Sequence, residues 1–196
     1  MVVAELTGGT LLRQVVDPGD AEEWRAPFIG AYQTVFSGFP YNERWNPDEA
    51  EAIWRKLTGT PHNVTLLATR GGSVLGFGIA IPLAAKRDVA RELGGLIPIN
   101  HTFYLAELGV LPEHRNQEIG RTLVVERLRR VDPDRWTHVC LRVSSAHTPS
   151  MEMYKAMGFA EMGVAMDVSM MRNDGRVITD RRRILSKVLS QVSLGK

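Results

Sequence analysis

The stretch TFYLAELGVLPEHRNQEIGRTLVVERLRRV, residues 102–131, constrains the fold of this chain more than any other. It opens on aromatic and apolar residues that read as a buried strand. A short polar loop follows, and then Ile119, Leu123, Val124, Leu128 and Val131 recur at the spacing of one helical face. Strand, tight loop and helix in succession place a helix N-terminus at the end of a sheet strand. Such a terminus offers unpaired backbone N–H groups and about half a positive charge, which suits a pyrophosphate. Arg115, Asn116, Gln117 and Arg121 surround it, and Gly120 permits close backbone approach.

The flanking sequence predicts the rest of a mixed sheet. TLLRQVV (10–16) closes at Asp17-Pro18-Gly19 and reads as a strand. APFIGAYQTVFSGFP carries Phe28, Tyr32 and Val35 at helical spacing. In NPDEAEAIWRKLTG, Asn46 caps a second helix, Pro47 takes its first position and Glu49 completes a capping box. Its buried face is Ala50, Ile53, Trp54 and Leu57. NVTLLATR and SVLGFGIAIPL flank Gly71-Gly72 and read as a hairpin. AAKRDVAREL suits a short helix and GGLIPINH a loop. WTHVCLRV (136–143) is the next strand, and SMEMYKAMG (150–158) a short helix ended by Gly158. Two further strands flank Asn173-Asp174-Gly175, a hairpin turn signal. This order predicts one domain over 1–196, of α/β (α+β) class, with helices packed on a mixed sheet.

The totals exclude several functions. With 24 basic and 22 acidic residues, the net charge of +2 is too small to argue for nucleic acid. The basic clusters Arg127, Arg129, Arg130 and Arg181, Arg182, Arg183 read as solvated faces. The single cysteine, Cys140, excludes an internal disulfide and a multi-cysteine zinc site, and reads as buried filler. The histidines lack metal-ligand spacing, so no metal is expected. No apolar run reaches the roughly 18 residues of a membrane span. A cytoplasmic setting is the expectation.

Two motifs together resemble the GNAT (GCN5-related N-acetyltransferase) superfamily. VLPEHRNQEIGRTL matches its V-x-P-E-x-R and [Q/R]-x-x-G-x-[G/A] pattern at Val110, Pro112, Glu113, Arg115, Gly120 and Leu123. HTPSMEMYKAMGF matches its second motif at Tyr154, Gly158 and Phe159. One strand separates them, as in that family. The resemblance implies a mixed, mostly antiparallel sheet of about seven strands flanked by about four helices, with acetyl-CoA (coenzyme A) as cosubstrate. It departs from the pattern twice: Glu118 stands where the family has the first glycine of the cradle, and His147 where it often has Asn.

The resemblance also implies site residues. The backbone of Leu108, Gly109 and Val110 would pair with the pantetheine amides in a splayed gap between strands. Backbone N–H groups of Asn116, Gln117, Glu118, Ile119, Gly120 and Arg121 would bind the pyrophosphate, with Arg115 and Arg121 adding charge, and His147 would help hold the pantetheine arm. Tyr154 matches the usual general acid for the departing thiolate. Glu107, the only carboxylate in TFYLAELGVL, is the candidate base or ammonium-binding group, provided that a bulge re-aims it. Tyr41, Glu43 and Trp45 in GFPYNERWN are candidates for substrate binding, and Lys86, Arg87 and Arg91 for a lid. These readings predict N-acyl transfer to the primary amine of a small molecule, with peptide or protein acetylation and a catalytically weak CoA-binding module as alternatives. Pairing through the C-terminal strands would make a homodimer.

Overall fold

The computed structural model describes residues 1–146 and 148–189. Its strands lie in one sheet in the order β1 (Val2–Leu6), β2 (Thr10–Val15), β3 (Val64–Arg70), β4 (Ser73–Pro82), β5 (Thr102–Val110), β6 (His138–Ser144), β8 (Val177–Val188) and β7 (Ala160–Met171). Among the described strands only β5 and β6 pair in parallel. The strand beyond the expected seven is β1, a short and at most half-buried edge strand whose sequence has little apolar alternation to announce it. Six helices are described: α1 (Pro18–Glu23), α2 (Arg25–Ser37), α3 (Pro47–Thr58), α4 (Arg87–Glu92), α5 (Ile119–Arg129) and α6 (Thr148–Ala156). α4 falls within AAKRDVAREL, as expected of that stretch, whereas α1 has no counterpart in the sequence reading: its six residues are too few for a periodic stripe to set it apart from loop. Among the described residues no helix is long and apolar enough to cross a membrane.

Apolar faces fix the layers. On one side of the sheet Phe28, Tyr32 and Phe36 of α2 and Trp54 of α3 close on Phe77 of β4. On the other side Ile119, Leu123 and Val124 of α5 pack on Leu66, Ala80, Phe103 and Leu105, with Met151 and Tyr154 of α6 beside them. The Asn46 cap holds as expected, its backbone N–H donating to the Glu49 carboxylate at 2.8 Å.

Three features position the site. First, Ile79 pairs with Glu107 and Ala80 with Leu105, so Ala106 is an extra, bulged residue in β5. Second, the parallel pairing of β5 with β6 ends at Leu105–Leu141, although β5 runs on to Val110 and β6 to Ser144. Beyond Ala106 the β6-side edge of β5 therefore has no strand partner among the described residues. Third, the β7–β8 turn reaches back to the segment between α2 and α3. Asn173 donates through its backbone N–H to the Asn42 carbonyl at 3.0 Å and through Nδ2 to Ser37 at 2.7 Å. Arg44 donates its N–H to Met171, and Arg172 donates through Nη1 to the Tyr41 carbonyl.

Candidate active site

The bulge decides where Glu107 faces. Strict alternation would set it with Phe103 and Leu105 against α5. Instead Tyr104 and Ala106 face the α2 side, Phe103, Leu105 and Leu108 the α5 side, and Glu107 follows Ala106 onto the α2 side, within electrostatic reach of Tyr32 and Tyr104. The residue is half-buried by area, yet its carboxyl lies deep enough for burial to dominate its chemistry. Burial pushes its pKa up to about 7 against the pull of Arg182, Lys86 and Arg142, and Glu43 raises it further.

Glu43 is the second buried acid, only 3% exposed. The Trp45 indole N–H donates to its Oε2 at 2.9 Å, while Oε1 accepts no hydrogen bond among the described residues and meets Arg182 at 3.6 Å. Burial raises the Glu43 pKa, and Trp45, Arg182 and Arg172 hold it back. Arg182 is fixed by Asp180, whose other oxygen accepts from Ser144. Tyr41 packs edge-on to Phe36, and its hydroxyl is pushed up to about 12, by burial first and then by Tyr154. So Tyr41, Glu43 and Trp45, on the segment that the β7–β8 turn holds down, share one electrostatic neighbourhood with Glu107.

Tyr154 approaches from the opposite face, on α6. It is 6% exposed and stands edge-on to Phe159 at 5.5 Å. Burial raises its pKa, and the Arg127 guanidinium opposes that rise.

The start of α5 is built from residues in unusual conformations. Asn116 (φ 60°) and Glu118 (φ 61°) are both left-handed, the region that favours glycine. Glu118 is the residue that caps α5, and its side chain is 80% exposed, 3.9 Å from Arg121. Its carboxylate points outward, while its backbone makes the turn that glycine makes at no steric cost. A left-handed non-glycine residue costs about 1–2 kcal/mol, and glycine returns about 0.5–1 kcal/mol of that through the unfolded chain. We expect Glu118→Gly to stabilise the fold by about 0.5–1 kcal/mol, an increase of roughly 1–4 °C in melting temperature. A calorimetric scan checks this, and a lower melting temperature would overturn it.

The other predicted ligand residues are distributed as follows. Arg115 donates through Nε to the Val110 carbonyl at 3.2 Å and through Nη1 to Phe39 at 3.0 Å, tying the end of β5 to the segment after α2. Gln117 turns back on the Glu113 carbonyl at 3.3 Å, and Ile119 is buried under the sheet. Gly109 has a packing reason: a Cβ there would lie 2.3 Å from the Phe77 ring. His147 lies outside the described residues. In the expected lid, Lys86 and Arg142 share Asp88, at 3.1 and 3.3 Å.

Two arginines correct the reading of the basic clusters as solvated. Arg127 is fully buried, and Arg182 points inward while Arg181 and Arg183 face out. Tyr32, Arg127, Arg142 and Arg182 are the site residues that the sequence reading missed. A period of two along β8 separates Arg182 from its neighbours, and position 127 falls on the apolar stripe of α5.

Comparison with known proteins agrees with this geometry. The model of the Acetyltransferase (GNAT) family matches residues 27–159. A phosphinothricin acetyltransferase from Sinorhizobium meliloti, solved with acetyl-CoA, superposes with a TM-score of 0.65 at 19% identity, over 95% of this chain and 92% of that one. A ribosomal-protein-alanine N-acetyltransferase from Brucella melitensis gives 0.63 at 18%, over 91% and 99%. An N-acetyltransferase from Staphylococcus aureus gives 0.62 at 14%, over 92% and 99%. No curated protein matches the sequence.

Proposed function

Because the chain belongs to the acetyltransferase (GNAT) family, we propose that it moves an acetyl group from acetyl-CoA to the primary amine of a small molecule, by direct attack, as one cytoplasmic domain. The observation that carries this reading is the meeting of two buried, perturbed groups where β5 leaves β6. Glu107 is poised near neutrality on one face and Tyr154 is held protonated on the other.

The chain fits the cosubstrate on its own evidence. The unpaired edge of β5 beyond Ala106 offers backbone donors and acceptors for a strand-like arm, from Leu108, Gly109 and Val110. The left-handed Asn116 and Glu118 turn the backbone at the start of α5, where free N–H groups suit phosphate. Acetyl-CoA supplies the acyl thioester there. Glu43, with one oxygen that accepts no hydrogen bond among the described residues and faces Arg182, receives the acceptor's ammonium between Tyr41 and Trp45. Glu107 takes the proton that the amine must lose before it attacks, and Tyr154 gives one to the departing sulfur. The Glu118 carboxylate is exposed and stands beside Arg121, which favours an enzyme over a weak CoA-binding module.

The tethering of the segment after α2 supports the reading of a small acceptor. The segment 38–45 is tied down by Asn173 and Arg172, and a peptide would need an open groove there. The phosphinothricin acetyltransferase and the ribosomal-protein-alanine enzyme represent the two acceptor classes among the similar folds.

Calorimetric titration of acetyl-CoA, followed by thiol release on a panel of small amines and N-terminal peptides, tests the reading. We expect micromolar binding and turnover with small amines. No binding at millimolar ligand would overturn the enzyme reading, and turnover confined to peptides would move the acceptor to that class.

A further inference from the structure

Arg127 is a charge that forms no ion pair among the described residues, in a place where charge is expensive. It is fully buried on the inner face of α5 among Leu123, Val124 and Leu128. Three of its five N–H donors are used, all on backbone carbonyls. Nε donates to Leu123 at 3.0 Å, and Nη1 donates to Ile79 at 3.1 Å and to Glu107 at 2.9 Å. Ile79 and Glu107 face each other at the bulge, where the β4–β5 register shifts. The remaining nitrogen, Nη2, is buried and makes no hydrogen bond of good geometry among the described residues, while the Tyr154 hydroxyl lies within reach of the guanidinium. The sheet makes room for this group: a Cβ on Gly78 would lie 2.8 Å from Arg127 Nε. A buried guanidinium with two idle donors is costly to desolvate, and a packed methionine would avoid that cost.

We infer that Arg127 is a positioning residue for the transfer, its Nη1 edge locking the bulge that aims Glu107 and its free Nη2 edge held toward the Tyr154 hydroxyl where the proton leaves it. The inference rests on the proposed role of Tyr154 as general acid. When that hydroxyl gives its proton to the sulfur, the electron pair stays on the phenolate oxygen, and a neighbouring cation stabilises it. The electrostatics run in that direction: Arg127 pulls the Tyr154 pKa down against burial. The other charged or titratable groups facing Tyr154 are Glu107 from β5, which raises it, and Tyr41 from the segment before α3. Neither can replace the cation.

The test is Arg127→Met, an unbranched apolar side chain that replaces the arginine stem and removes the guanidinium, in the full chain. Its removal of positive charge raises the Tyr154 pKa, so the alkaline limb of the kcat profile moves to higher pH. We expect kcat to fall about 10–100-fold, less than loss of the acid itself. KM for acetyl-CoA should stay within about threefold, the signature of an interaction made in the transition state. Arg127→Lys keeps the charge and should restore most of the limb position. Gly78→Ala pushes the guanidinium aside and should shift the limb in the same direction, which keeps the test open if Arg127→Met folds poorly. In a Tyr154→Phe background Arg127→Met should add less than about threefold, because the two act together. Full additivity, or an unmoved alkaline limb in both Arg127→Met and Gly78→Ala, would overturn the inference. Undiminished turnover of Tyr154→Phe alone would instead remove the acid reading on which it stands.

Discussion

Tyr154→Phe is expected to lower kcat by about 10²–10⁴-fold, the range over which a positioned proton donor contributes. The fold should tolerate the change. The ring stays in place through its edge-on contact with Phe159 and its near-complete burial, and only the hydroxyl is lost. KM for acetyl-CoA should change little, since the hydroxyl assists the leaving sulfur and not the binding of the ground state. The pH profile adds a second reading. Burial raises the Tyr154 pKa above its ordinary value, so the wild-type acid stays protonated well into the alkaline range. The variant should lose the alkaline limb altogether. A variant within about threefold of wild type would assign the proton to water and leave Tyr154 as packing alone.

The sequence carries most of the frame and only part of the site, for reasons that particular residues make plain. Long elements with a strong period were legible: α3 with its cap, the β3–β4 hairpin and the strand–loop–helix at 102–131 all appear where patterning puts them. β1 and α1 were not, because an edge strand and a helix of six residues bury too little to leave a pattern. Glu107 was singled out by its chemistry, a lone acid in an apolar strand, but its direction depended on a one-residue bulge. Register of that kind is set by the partner strand and by the Arg127 clamp 20 residues away, which local sequence does not display. Arg127 itself was readable. Its position lies four residues after Leu123 and three after Val124, inside the apolar stripe, yet the adjacent Arg129 and Arg130 made it look like part of a solvated run. Arg182 was hidden in the same way between Arg181 and Arg183, and strand alternation was the signal that separates them. Tyr32 and Arg142 became site residues only through folding, since α2 and β6 approach Glu107 from distant parts of the chain.

Glu107→Gln should remove the acid limb of the reaction. A base must be ionised to accept a proton, and Glu107 is raised to about 7, so wild-type kcat/KM should climb tenfold per pH unit below that value and level off above it. The amide keeps the shape of the side chain and cannot take the proton. At pH 8 the loss should be about 10²–10⁴-fold, shrinking toward acid pH as the wild type itself becomes protonated. Stability should move the other way. A carboxyl whose folded pKa is raised contributes stability that is fully present below its unfolded pKa, near 4.5, and is lost as pH rises through about 7. The ionised form therefore opposes folding above neutrality, and Glu107→Gln should melt higher than wild type at pH 8, with the difference fading at pH 5. The two trends together separate a base from a structural acid. A group that merely braced the fold through an ion pair with Arg182 would lower the melting temperature when neutralised, at the same pH where a base raises it. An acid limb that persists in Glu107→Gln would pass the role to another group, and Glu43, the second buried carboxylate of the site, is then the one to substitute next.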